Sequence, residues 1–456
     1  MNIECCIAVC GPVDAGKSSL IGVLTSGHLD DGRGLARNKI LIHPHEIESG
    51  RTSHITYNPL IYNTDNDQVH LVNPRESRSH DDNKESIRLF TLKTTKVGYK
   101  RKVTSFIDLA GHEKYLKTTI FGVSGLFPDY GIVVIGANTG ITKLTKEHLG
   151  ILLYLKIPMI ITITKVDLAP KLVYENLCLQ LKKLLSKNTF GKVLYFISCN
   201  EFADDETNHY LDHMVGNHDI IPIISISNKE GTNIENLHKI LYSIPPRDKW
   251  NNVKTSASGN GSIFYIDAHF MVPGIGLVVS GTTKGEPIKL KQKVFIGPFS
   301  GQFKEIYVKS IHNSIRNSIE ETQNGNQACI NFRLVNSRDS KDSLDRSMIK
   351  KGLVIIDDIN KFKNNIVTHF WARITVLHHS TTIKKGYSPV IHCGPIRQSA
   401  FLDSDIILRS GDNQIVKFTF QYNPEFMEEN MIFFFRDGTT KGVGEVLKIN
   451  SDNFEE

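Results

Sequence analysis

From Ile3 to Ile244, short runs of β-branched and other apolar residues alternate with stretches of helical periodicity. Residues 3–9, 103–109, 130–137, 159–164 and 220–226 predict strands, and residues 144–155 predict an amphipathic helix. This alternation is the pattern of an α/β domain with a doubly wound, mostly parallel sheet. After Ser243-Ile244-Pro245-Pro246-Arg247 the helical period stops, and short strands separated by Gly, Asn and Pro turns take over. That remainder predicts two β-barrel domains, the first ending with Lys351-Gly352-Leu353-Val354-Ile355. The expected domains are residues 1–246, 247–360 and 361–456, with a linker marked by Pro245-Pro246 and residues 255–261.

Two polar insertions, residues 63–86 and 201–217, are rich in Asp, Asn, Ser, Glu and His and are expected to be exposed loops. The polar run 337–347 reads as a hairpin or loop excursion of the first barrel. A chain of 456 residues exceeds what one core serves. No apolar run approaches the roughly 20 residues of a membrane span, and Met1-Asn2-Ile3-Glu4 leads straight into the first strand without a charged n-region or cleavage site. A cytoplasmic, unexported protein with no membrane partner is expected. Seven cysteines (5, 6, 10, 178, 199, 329 and 393), an odd number with no C-x-x-C, fall mostly in apolar runs and point to buried thiols in a reducing compartment. Of the net charge of +6, +5 lies in residues 247–456, which is compatible with a nucleic-acid partner or with a plain solvated surface.

The chemistry is concentrated at strand ends. Gly11-Pro12-Val13-Asp14-Ala15-Gly16-Lys17-Ser18 follows the first strand and opens a helix beginning Ser19-Leu20, the full pattern of a phosphate-binding loop. Its glycines let backbone N–H groups turn toward a triphosphate, Lys17 reaches the β- and γ-phosphates, and the Ser18 hydroxyl is placed for Mg²⁺. Asp108-Leu109-Ala110-Gly111-His112 ends a second strand: Asp108 suits a Mg²⁺-bound water, the Gly111 N–H suits the γ-phosphate, and His112 either positions the attacking water or merely satisfies a loop carbonyl. Thr164-Lys165-Val166-Asp167 ends a third. The Asp167 carboxylate accepts guanine N1–H and N2–H together, the Lys165 stem covers the ring, and Thr164 stands where the commoner motif has asparagine. Ser227-Asn228-Lys229 reads either as a loop whose backbone N–H meets guanine O6 or as a plain turn. Between the first two motifs, Thr52, with Ser53 second, supplies the hydroxyl suited to close over Mg²⁺ and γ-phosphate. His43-Pro44-His45-Glu46 and His378-His379 read as structural.

With these motifs in this order and two trailing β modules, the chain resembles translational GTPases of the elongation factor Tu and elongation factor 1-alpha type over nearly its whole length. Residues 16–20, 32–37, 45–53 and 108–119 look like the GTP-binding protein 1 and GTP-binding protein 2 branch, and residues 436–444 are similar to the last-barrel motif that lies near the tRNA stem. The resemblance implies GTP hydrolysis with Mg²⁺, and aminoacyl-tRNA and the ribosome, not DNA, as partners. It also links Asp14 to a monovalent cation beside the phosphates, against a simple loop-stabilising hydrogen bond. The sequence departs from the branch in starting at the GTPase domain, in Pro12 for the usual asparagine or histidine, and in the composition of residues 63–86. The expected function is a GTP-dependent switch on tRNA or ribosomes. The alternatives are a scaffold in RNA turnover or signalling and a GTPase subunit regulating a metabolic enzyme.

Overall fold

The computed structural model describes residues 2–41, 46, 52, 54–72, 87–91, 99–186, 190–197, 204–216, 219–250, 261–335, 344, 346–379, 381–438 and 440–454. The chain falls into two compact units, Met1–Val123 with Pro128–Arg247, and Ser124–Phe127 with Asp248–Glu456.

The first unit is built on a nine-stranded sheet: β1 (Asn2–Cys10), β2 (Thr56–Asp65), β3 (Gln68–Val72), β4 (Ile87–Thr91), β5 (Arg101–Asp108), β6 (Tyr130–Gly136), β7 (Met159–Thr164), β8 (Val193–Ile197) and β9 (Ile220–Ser225), in the order β4-β3-β2-β5-β1-β6-β7-β9-β8. The run from β5 to β8 is parallel, and β2, β3 and β4 add an antiparallel edge. Strands β6 and β7 are buried at every position, which is why they read as unbroken apolar runs. The connecting helices are α1 (Lys17–Ser26), α2 (Leu35–Asn38), α3 (Leu116–Ser124), α4 (Lys143–Tyr154), α5 (Lys171–Leu185), α6 (Asp204–Gly216) and α7 (Ile234–Ser243). A capping box starts α4, with Thr142 and Thr145 each accepting from the other's backbone N–H.

Lys102 on β5 is fully buried, and its Nζ donates to the carbonyls of Leu241, Tyr242 and Ile244 at the end of α7. Burial lowers its pKa to about 8. The three acceptors satisfy all three ammonium protons, which makes a charge tolerable there.

Both insertions differ from the expected loops. Residues 63–72 form a hairpin turning at Asn66 and Asp67, which hold φ of 46° and 61°, a conformation short polar residues tolerate. Val69 and Leu71 face the core, so two buried positions suffice in an otherwise polar segment. In the second insertion α6 buries Leu211 and Met214, three apart on one helix face. Composition averaged over each insertion hid these short periods. Residues 73–86 and 201–203 lie outside the described residues.

The second unit contains the two expected barrels. Strands β10 (Ser262–Val272), β11 (Gly276–Gly285), β12 (Lys293–Phe299), β13 (Gln302–Asn313), β14 (Ser318–Ile319), β15 (Gln327–Leu334) and β16 (Val354–Ile356) form one sheet, closed by pairing of β12 with β13. After the short pair β17 (Ile366–Val367) and β22 (Glu425–Phe426), the second barrel closes in the order β18-β21-β20-β19-β23-β24, using β18 (His369–His378), β19 (Val390–Cys393), β20 (Ile396–Leu402), β21 (Asn413–Phe420), β23 (Ile432–Asp437) and β24 (Thr440–Ile449). Its core stacks Phe370, Phe418, Phe433 and Phe435. Gly442 and Gly444 make room for them: a Cβ at either would lie 1.9 Å from Phe435 or 2.4 Å from Phe433. Across the barrels, Glu428 accepts from Lys284 Nζ at 2.8 Å and from the Tyr265 hydroxyl. Among the described residues no helix is long and apolar enough to cross a membrane.

Candidate nucleotide site

All the phosphate- and base-directed motifs converge on one cleft of about 680 Å³ at the carboxyl ends of the parallel strands. The loop after β1 is set by its glycines. Gly11 has φ 146°, and a Cβ there would meet the Val134 carbonyl oxygen of β6 at 2.3 Å. Gly16 at φ 85° starts α1 without a side-chain cap, leaving the first N–H groups of that helix free of intrahelical acceptors and available to an anion. Asp14 at φ 59°, Gly16, Lys17, Ser18 and Ser19 line the cleft, whereas Gly11 and Ala15 are buried beneath it. Lys17 is nearly buried, its Nζ donating to the Pro12 carbonyl at 2.9 Å. Burial lowers its pKa, and Asp108, Cys10 and Asp14 oppose that shift.

Three oxygens expected around a metal come together. Ser18 Oγ donates to Asp108 Oδ2 at 2.8 Å, Thr52 Oγ1 donates to the same atom at 3.1 Å, and the two hydroxyls lie 2.9 Å apart. These residues are 34 and 56 positions apart along the chain. Asp108 is fully buried, which raises its pKa, while Lys17 and the two hydroxyls lower it. Among the described residues its Oδ1 has no hydrogen-bond partner. Ser53 lies outside the described residues.

Beyond β5, Gly111 sits so close to the phosphate loop that a Cβ would come within 2.3 Å of Lys17 Nζ and 2.8 Å of the Pro12 carbonyl oxygen. His112 is exposed on the cleft wall, and its Nδ1 accepts from the Lys114 N–H at 3.1 Å. With Nδ1 accepting, the neutral ring carries its proton on Nε2. The histidine therefore caps a turn, and among the described residues it donates to no carbonyl.

At the base end, Thr164 is fully buried, and its Oγ1 donates to the Ala15 carbonyl at 2.6 Å. It lies under the cleft as a support of the phosphate loop. Lys165, at φ 58°, and Asp167 line the wall, and among the described residues the Asp167 carboxylate makes no hydrogen bond. Asn228 and Lys229 line it too. Ser227 does not. It is buried, its N–H donates to the Thr232 carbonyl at 3.2 Å, and its hydroxyl accepts from the Glu230 N–H at 3.0 Å. Of the loop expected to offer a backbone N–H to the base, Asn228 and Lys229 face the cleft, while the Ser227 N–H is taken up by the turn.

Sequence reasoning placed residues 32–37 in the resemblance but gave the loop 30–37 no role in the site; Asp30, Gly32, Arg33, Gly34 and Arg37 line the cleft. Its signal was Asp30-Asp31-Gly32-Arg33-Gly34, an aspartate-glycine turn directly after the phosphate-loop helix.

The sequence profile described as "Elongation factor Tu GTP binding domain" matches residues 4–247, which span the whole cleft. The chain belongs to this elongation factor Tu family. Within it, the chain is similar to GTP-binding protein 1 of Xenopus laevis, 38% identical over 98% of this chain and 64% of that protein. It is also similar to GTP-binding protein 2 of Mus musculus, 33% identical over 98% of this chain and 69% of that protein. The chain thus spans about two thirds of the length of these relatives. Its elongation factor fold is shared with translation elongation factor SelB of Methanococcus maripaludis in complex with the GTP analogue GPPNHP, at a TM-score of 0.62 and 17% identity over 99% of this chain and 81% of that one.

Proposed function

We propose that the chain binds and hydrolyses GTP in this cleft and acts as a GTP-dependent switch on aminoacyl-tRNA or ribosomes. The observation that carries the reading is the meeting of Ser18, Thr52 and Asp108 beside Lys17. It brings a phosphate-loop hydroxyl, a hydroxyl from the segment after α2 and the carboxylate of β5 to one point.

Hard oxygen donors suit Mg²⁺, and the orphaned Asp108 Oδ1 is the acceptor that a metal-bound water needs. Ser18 and Thr52 would ligate the ion through their hydroxyls and Asp108 through water, where it neutralises charge on the β- and γ-phosphates. Asp14, exposed in the loop, is offered as the ligand of a monovalent cation.

The chain's own residues account for the rest. Lys17 binds the phosphate oxygens, and Gly111, with no Cβ, lets its N–H approach the γ-phosphate. His112 presents Nε2–H to the nucleophile or to a phosphate oxygen while Lys114 holds Nδ1, so it orients and stabilises charge without abstracting a proton. Asp167 selects guanine, since adenine would leave its carboxylate desolvated and unpaired. When the γ-phosphate leaves, Thr52 and Gly111 lose a partner and their segments relax.

The test is GTP turnover by the full chain with and without ribosomes and aminoacyl-tRNA. Stimulation by either supports a translational switch. Turnover indifferent to both would remove that part of the reading while leaving nucleotide hydrolysis in place.

A further inference from the structure

We propose that Arg37 is a nucleotide-binding residue that engages phosphate oxygens common to GDP and GTP, an inference that rests on the guanine-nucleotide reading of the cleft. Arg37 lines the cleft from α2, and its Nε is buried without a hydrogen-bond partner among the described residues. A guanidinium is always charged, and its fork of donors matches phosphate oxygens.

The neighbouring aspartates bond to backbone N–H groups of their own turn. Asp30 Oδ1 accepts from the Ala36 N–H at 2.8 Å, and Asp31 Oδ1 accepts from the N–H groups of Arg33 at 2.7 Å and Leu35 at 3.1 Å. These bonds also fix the turn that presents Arg37. Two glycines complete the placement. A Cβ at Gly34, which holds φ 98°, would lie 2.5 Å from Arg37 Nε, so this residue opens the space that the guanidinium fills. A Cβ at Gly22 would lie 2.1 Å from the Ala36 carbonyl oxygen, so α1 and α2 touch backbone to backbone. Arg37 is thus carried on a short helix packed against α1, which follows the phosphate loop.

The loop's other attachment decides which oxygens it serves. The Asp30 N–H donates to the Asn228 carbonyl at 2.9 Å, and Gly32 lies against the Lys229 stem. The loop is therefore joined to the base side of the cleft, and among the described residues no hydrogen bond ties it to residues 108–112, which would sense the γ-phosphate. Arg33, exposed on the same turn, adds a second positive charge.

The experiment is isothermal titration of full-length Arg37→Ala and Arg37→Lys with GDP and with the non-hydrolysable GTP analogue GPPNHP, alongside single-turnover hydrolysis at saturating GTP. Arg37→Ala should weaken both ligands by about tenfold, as expected for one lost charged hydrogen bond. Arg37→Lys should recover part of that loss. Affinities unchanged for both ligands would overturn the proposal, as would a loss confined to GPPNHP or to hydrolysis, which would place the cation at the γ-phosphate. Thermal unfolding at the wild-type temperature excludes misfolding as the cause of weaker binding. Lys17→Ala separates the two readings: if it loses nucleotide while Arg37→Ala does not, only the Arg37 assignment fails, and if neither matters the cleft is not a nucleotide site.

Discussion

The hydroxyl of Thr164 donates to the carbonyl of Ala15 at 2.6 Å across 149 residues of chain, joining the end of β7 to the loop after β1. Thr164→Val keeps the shape and removes the donor, leaving a buried carbonyl without its partner. Stability of the first unit should fall by about 1–3 kcal/mol, and GTP affinity by about tenfold. Chemical denaturation and nucleotide titration of the same preparation check both.

Asp167→Asn places an amide donor where the carboxylate accepted two protons. Guanine should lose its preference and xanthine should gain it, read as a crossover in competition between GTP and XTP. Retained selectivity for GTP would remove Asp167 from the base pocket.

Thr52→Ala and His112→Ala should separate binding from chemistry. Thr52→Ala should weaken the Mg²⁺-dependent preference for GTP over GDP by roughly tenfold. His112→Ala should leave both affinities within twofold and slow single-turnover hydrolysis by roughly 10²-fold. Rapid-quench kinetics under saturating nucleotide make the distinction.

Acid should unfold the first unit through two histidines. Burial lowers the pKa of both His148 and His238 to about 3. Neither ring nitrogen of His148 is hydrogen-bonded among the described residues, and His238 Nδ1 pairs with the Tyr62 hydroxyl at 3.0 Å. Both are neutral when folded and take up a proton near pH 6.5 when unfolded. Their contribution is therefore complete above pH 6.5 and is lost as pH falls toward 3, at about 1.4 kcal/mol per pH unit for each histidine. Denaturant midpoints measured from pH 7 to 4 should show this slope, and His238→Gln should make it shallower by one histidine's share.

The strand-end placement of the phosphate loop, Asp108, Gly111 and Asp167 was legible in sequence because these motifs carry particular residue types at fixed spacing after apolar runs. Thr52 was chosen from the segment 46–53 between the first two motifs, and its hydroxyl lies 3.1 Å from Asp108 Oδ2. Which of residues 227–229 faces the cleft was not legible, because the acceptor of the Ser227 N–H, the Thr232 carbonyl, is set by how that turn folds back. Arg37 was missed because its orientation depends on Gly22 and Gly34 making space, which no local pattern of charges reports. The hairpin at 63–72 and the helix at 204–216 show the same limit from another side: two inward residues build an element while its average composition stays polar.

Lys102 gives β5 a second office. The strand bears Asp108 at one end and, six residues away, an ammonium that clasps the last carbonyls before Pro245. Nucleotide cleft and departing chain are thus fastened to opposite ends of one rigid rod. Unravelling of the final helix turn would loosen the strand that carries the cleft's carboxylate, so nucleotide should protect backbone amides around Leu241 from solvent exchange although it touches none of them.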